Sequence, residues 1–99
     1  MTMTAADNSV VLDEAGQVFI LPIVDDAAGR AYFRRDDDGY LVLTHTEVPE
    51  EFGGQGIASR LARGVFDIAR ERGLRLVLRC PFMSAWYARH PEYGDVVAG

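Results

Sequence analysis

Cysteine is nearly missing from this chain of 99 residues: only Cys80 is present, so no intramolecular disulfide can form, and a reducing, cytoplasmic setting is the expectation. Basic side chains are in the minority, 10 against 15 acidic, and the formal charge of -5 argues against a nucleic-acid partner, whose footprint is a basic face. Long apolar runs are absent as well, since no stretch approaches the roughly 20 apolar residues of a membrane span. The opening "MTMTAADNS" has no basic segment leading into an apolar one, so neither secretion nor membrane insertion is expected, and no metal site is expected either. What is present, 48% hydrophobic residues of which a good part are aromatic, is enough for one compact domain and leaves no room for a second.

Residues 1–8 are small and polar and read as a flexible terminus, with residues 9–99 as the single domain. "VVLD", "QVFILPIV" and "GRAYFRR" are rich in β-branched and aromatic residues, and "DEAG", "DDAAG" and "DDDG" separate them with the Asp and Gly that turns prefer, which predicts antiparallel hairpins. "GYLVLTHTEV", residues 39–48, is a longer strand that Pro49 ends. The period then changes. Ile57, Leu61, Val65 and Ile68 recur at helical spacing with Gly73 as a C-terminal cap, giving a helix of about five turns. "LRLVLR", residues 74–79, is a strand that returns parallel to the one before the helix, and "FMSAWYARH" is a short helix stopped by Pro91.

The segment "PEEFGGQGIASRL", residues 49–61, places three glycines in four positions just ahead of the long helix. Glycine weakens a helix start and loses more backbone entropy on folding than any other residue, so the cluster implies that the backbone itself meets something. A helix N-terminus offers unpaired N–H groups and a partial positive charge of roughly half a unit, which suits a diphosphate. A tight strand-to-helix turn without a ligand fits "GGQG" equally well, and a nucleotide-binding P-loop does not, because the Gly-Lys-Ser/Thr ending is missing.

Three blocks in order, "HTEVP" at 45–49, "GQGIAS" at 54–59 and "CPFMSAWYARHPEY" at 80–93, resemble the small single-domain branch of the GNAT superfamily of acyl-CoA-dependent N-acyltransferases. The resemblance covers roughly residues 17–97, with Glu51 where the superfamily signature R/Q-x-x-G-x-G/A usually has Gln or Arg. It implies a minimal GNAT fold of the α/β class, a mixed and mostly antiparallel sheet with one long and one short helix, and acetyl-CoA as cosubstrate. It further implies that Gly53, Gly54 and Gly56, the amides of Gln55, Ile57 and Ala58, and the hydroxyl of Ser59 hold the pyrophosphate, while the pantetheine arm pairs with strand backbone near Thr46 and Val48.

The same resemblance directs the thioester at His45, Glu47, Cys80 and Tyr87. Acetyl transfer needs a neutral amine, a donor for the developing oxyanion and a proton for the leaving thiolate. Glu47 or His45 is the candidate base, and strand alternation puts the two on one face unless a bulge intervenes. Tyr87 is the candidate proton donor, or else an aromatic packing beside Trp86. Cys80 either accepts an acetyl group or lines the tunnel as a small apolar residue. His90 is a base or the pin of the "HPEY" turn. The short spacing between the early strands leaves the acceptor side open and, on overall charge, acidic, so the expected acceptor is an amine on a protein, a polyamine or another small cationic amine. The alternative is an acyl-CoA-binding regulatory module with little catalysis.

Overall fold

The computed structural model describes residues 10–24, 27–52 and 56–99. Five strands form one sheet in sequence order: β1 (Val11–Asp13), β2 (Val18–Val24), β3 (Ala27–Arg35), β4 (Leu41–Glu47) and β5 (Leu76–Leu78). The first four run antiparallel and β5 joins β4 in parallel, as the order strand, helix, strand requires. The helix between them, α1 (Ile57–Arg72), ends at Gly73, whose φ of 69° is the left-handed conformation that glycine adopts without penalty. Helix α2 (Pro81–Arg89) follows β5 directly, with Pro81 in its first turn.

The expected mixed α/β architecture with one long and one short helix is observed, and several boundaries move. The long helix has 16 residues, somewhat under five turns. Strand β3 begins at Ala27, so most of "DDAAG" is strand and not turn. Gly29 lies beneath α1, where an added Cβ would meet Ile57 and Leu61 at an ordinary contact distance of 3.5 Å. Pro22 is tolerated inside β2 because β1 pairs only with Val18–Ile20, leaving Pro22 on an open edge where its missing N–H breaks no ladder. Short 3-10 segments at Glu50–Phe52 and Pro91–Val96 were not foreseen, for they carry no apolar period.

One apolar cluster joins the sheet to the helices. Phe19, Leu21, Ala31, Phe33, Leu41, Leu43 and Leu76 project from alternate strand positions and meet Leu61, Val65 and Phe66 of α1 and Met83 and Trp86 of α2. Tyr93 and Val96 of the C-terminal segment join the same cluster. The intervening strand positions, among them Val18, Ala28 and Val42, stand outside it and define the opposite face of the sheet. Among the described residues, every buried side chain of a helix faces the first side, so the second side carries no helix.

Candidate active site

Pairing between β4 and β5 covers Leu41–Leu43 and Leu76–Leu78, with one more hydrogen bond from the Arg79 amide to the Leu43 carbonyl. Beyond that point β4 continues to Glu47 against β3, while the chain after β5 turns into α2 at Cys80. The two parallel strands therefore part at their C-terminal ends, in the segment where the resemblance sets the pantetheine arm against strand backbone. A bulge fixes what the slot displays: β3 residues Tyr32 and Phe33 pair with His45 and Leu43, so Thr44 is the extra residue. Thr46 consequently faces the helices, and His45 and Glu47 face the uncovered side.

On the helix side, Thr46 Oγ1 lies 3.2 Å from Cys80 Sγ, a hydrogen bond in which either group is a competent donor. Cys80 is only 4% exposed and belongs to the apolar cluster, and no charged partner meets its sulfur. On the uncovered side, His45 Nε2 is 3.1 Å from Glu47 Oε2, and the imidazole stacks on Tyr32 with ring centroids 6.1 Å apart. An ionised carboxylate only accepts, so opposite one, Nε2 is the donor in this contact, the tautomer of a neutral imidazole that keeps the Nδ1 lone pair. Both side chains of the pair are more than half exposed, which leaves them reachable from solvent.

A cleft of about 430 Å³ lies against this strand end, lined by Ala28, Arg30, Thr46, Glu47, Val48 and Pro49. A depression of about 500 Å³ between β1 and α1, lined by Val10, Val11, Leu12, Gly64 and Asp67 among others, contains none of the residues singled out by the sequence. The local charge also departs from expectation. On β3 and β4 the uncovered face carries Arg30 and Arg34 beside Glu47 and His45, so this part of it is not acidic although the whole chain is.

The glycine segment is described in part. Gly53, Gly54 and Gln55 lie outside the described residues. Gly56 is the residue before α1, at φ 73° in the left-handed region, and a Cβ built on it meets no atom within 4 Å. It supplies no side-chain cap, and the first turn of α1, with Ile57, Ala58 and Ser59, holds no acidic residue. The leading N–H groups of a helix have no partner within it.

The remaining candidates sit in a different neighbourhood. Tyr87 stacks on Phe66, and its hydroxyl lies against Gly94, where an added Cβ would be 3.3 Å away; neither hydrogen-bonded pair at the strand gap includes it. His90 stacks on Trp86 with centroids 3.8 Å apart and donates from Nδ1 to the Trp86 carbonyl at 2.9 Å, so it pins the turn before Pro91. Tyr93 donates to Asp67 at 2.6 Å, and burial first, then this bond, raise its pKa above the usual phenol value. Arg70 binds Asp95, which holds that carboxyl below its ordinary range. These contacts lock α1 to the C-terminal segment.

Sequence reasoning passed over Tyr32 and Arg30. Their signal was the alternation in "GRAYFRR", which puts Arg30, Tyr32 and Arg34 on one face of β3. Among the described residues no group of three or more His, Cys, Asp or Glu is placed to hold a metal ion, and no helix is long and apolar enough to cross a membrane.

Comparison with known proteins agrees with this fold. The solution structure of a GCN5-like protein from Staphylococcus aureus superimposes with a TM-score of 0.68, covering 94% of this chain and 90% of that one at 26% identity. Protein NATD1 of Xenopus tropicalis is 39% identical over 49 residues, half of this chain and 45% of that protein. Protein NATD1 of Homo sapiens is 37% identical over 49 residues, 43% of its length, so the matched stretch spans less than half of either relative. The family model for GCN5-related N-acetyl-transferase matches residues 19–96, and the chain belongs to that family.

Proposed function

We infer that the chain binds acetyl-CoA in the gap between β4 and β5 and acetylates an amine that approaches from the uncovered face of the sheet. The observation that carries this reading is the parting of the two strands, flanked on one side by the Thr46–Cys80 contact and on the other by the hydrogen-bonded pair of His45 and Glu47. The residues present fit the cofactor. Glycine at position 56 leaves open space at an uncapped, positively polarised helix start, which suits a diphosphate, and the end of β4 has strand backbone with no β5 partner for a pantetheine arm to pair with. Gly56, Ile57, Ala58 and Ser59 would hold the phosphates, with Gly53, Gly54 and Gln55 ahead of them, and Thr46 and Val48 the arm.

Acetyl-CoA, when bound, supplies a thioester whose C–S bond breaks as the new amide C–N bond forms, the electron pair leaving on sulfur. His45 Nδ1 takes the proton of the incoming amine. Glu47, accepting from Nε2, fixes that tautomer and stabilises the imidazolium that results, an arrangement worth roughly 10²- to 10⁴-fold in rate for a well-placed base. Tyr32, stacked on the imidazole, holds the ring plane. Thr46 and Cys80 line the helix side of the gap, hydroxyl and thiol 3.2 Å apart. Tyr87, with its hydroxyl at Gly94, serves the aromatic packing.

Calorimetric titration with CoA and acetyl-CoA, followed by mass-spectrometric screening of amines, tests the reading. Binding together with acetylation of at least one amine is expected, and an absence of binding to either form would refute it. Binding without transfer to any amine would instead identify an acyl-CoA-responsive regulatory module.

A further inference from the structure

The uncovered sheet face has a charge pattern that the overall composition conceals. Arg30 stands directly across from Glu47 in the β3–β4 register, and the two line the same cleft of about 430 Å³. Directly opposed strand residues have Cβ atoms about 4.5–5.5 Å apart, so one small molecule reaches both. Glu47 is engaged by His45. Arg30 is half-buried, yet its guanidinium forms no hydrogen bond or ion pair with any described residue. A guanidinium offers five donors in a planar fork whose natural complement is a carboxylate bound through two parallel hydrogen bonds. Cationic peptides and polyamines, by contrast, would meet Arg30 and Arg34 beside Glu47 on the β3–β4 part of this face.

We propose that the acceptor is a free amino acid: its carboxylate binds Arg30, which sets its amine against the His45–Glu47 pair. This rests on the acetyltransferase reading and narrows its acceptor to amines that carry a carboxylate one or two carbons away. Arg30 takes no part in the bond changes. The amine nitrogen gains the acetyl carbon, its proton passes to His45, and the carboxylate is unchanged. A peptide N-terminus, in which an amide replaces the carboxylate, lacks the group that Arg30 recognises and ranks with plain amines.

The test compares kcat/KM for leucine, its decarboxylated counterpart 3-methylbutylamine, and a leucine-initiated dipeptide amide, in the wild type and in Arg30→Gln and Arg30→Lys, with acetyl-CoA affinity measured in parallel by calorimetry. The wild type should favour leucine over both other acceptors by about tenfold or more, the factor that one bidentate charge-assisted contact provides. In Arg30→Gln that ratio should fall to about one, and Arg30→Lys, which keeps the charge without the fork, should fall between. A wild type without the preference overturns the proposal, as does an Arg30→Gln variant that keeps it or one that loses only acetyl-CoA affinity. Acetylation of the plain amine with no preference sinks the amino-acid inference alone, whereas absence of all transfer sinks the catalytic reading with it.

Discussion

Gly56 and Gly73 make a matched pair from which the phosphate site can be tested without confusing binding with folding. Gly56 precedes α1 at φ 73° and Gly73 follows it at φ 69°, and a Cβ on either meets no atom within 4 Å. Alanine at either position therefore carries the same penalty, the left-handed strain of an L-residue, about 1–2 kcal/mol. No steric clash adds to it. The two substitutions should lower unfolding free energy by similar amounts, read from urea melts with unchanged slopes. Their effects on cofactor binding should differ completely, because only Gly56 lies at the uncapped N-terminal end, where amides and helix dipole favour an anion. A methyl group that displaces one phosphate oxygen from a backbone amide forfeits a charge-assisted hydrogen bond of about 1.5–3 kcal/mol, so Gly56→Ala should bind CoA about 10- to 100-fold more weakly. Gly73→Ala should bind as the wild type does. Equal CoA affinity in the two folded variants, measured by calorimetry well below their midpoints, would refute the placement of a diphosphate at this helix start.

Other consequences can be measured independently. Glu47→Gln keeps a hydrogen-bond acceptor for His45 but removes the charge that stabilises its imidazolium, so kcat should fall about 10²-fold or more while CoA affinity is retained; an unchanged kcat would remove the pair from the chemistry. Gly64→Ala places a methyl 2.6 Å from Val10 Cβ, and an overpacking cost of about 1–3 kcal/mol should exceed the gain in helix propensity of about 1 kcal/mol, giving net loss of stability; a more stable variant would show that Val10 does not pack there. Tyr93 has its phenol pKa raised by burial and by Asp67, so the folded state holds that proton more tightly than the unfolded state; its contribution is complete below about pH 10 and declines as pH rises through the folded value, and Tyr93→Phe should remove that part of the alkaline decline seen in stability-versus-pH curves. Cys80→Ala should retain most turnover, because the thiol is buried and meets only the Thr46 hydroxyl; the chain has no lysine, so an acetyl group found on the intact protein in the absence of acceptor and mapped to Cys80 would establish a covalent route instead.

The strands and helices were legible because each carries its own period: alternation in "GRAYFRR" and "QVFILPIV", a spacing of three and four from Ile57 to Ile68, and turn residues between. The parallel return of β5 followed from chain order. What escaped was set by contacts between distant segments. Nothing near Tyr87 in sequence says that its hydroxyl ends against Gly94, because that follows from how Pro91–Val96 folds back over α2. The local charge beside Glu47 escaped for a related reason. A net charge of -5 averages over the whole chain, whereas the outward positions of β3 and β4 are every second residue of two strands, and they include Arg30 and Arg34.

The bulge at Thr44 shows how little sequence separates one arrangement of the site from another. Leu43 faces the helices, so an unbroken strand would alternate Thr44 outward, His45 inward, Thr46 outward and Glu47 inward. His45 and Glu47 would then be driven against the layer that holds Cys80 and Met83, where a charged carboxylate loses its hydration and gains no partner. One extra residue reverses the parity. It brings the two titratable groups out to solvent on the uncovered face and turns Thr46 inward onto the Cys80 sulfur, at the place where β5 stops pairing with β4. The same kink increases local twist and so favours the parting of the strands that opens the gap. Strand parity, the outward placement of the His45–Glu47 pair and the inward turn of Thr46 are thus set together by one unpaired residue, and "LTHTEV" does not announce it, since every side chain in that run is compatible with a regular strand.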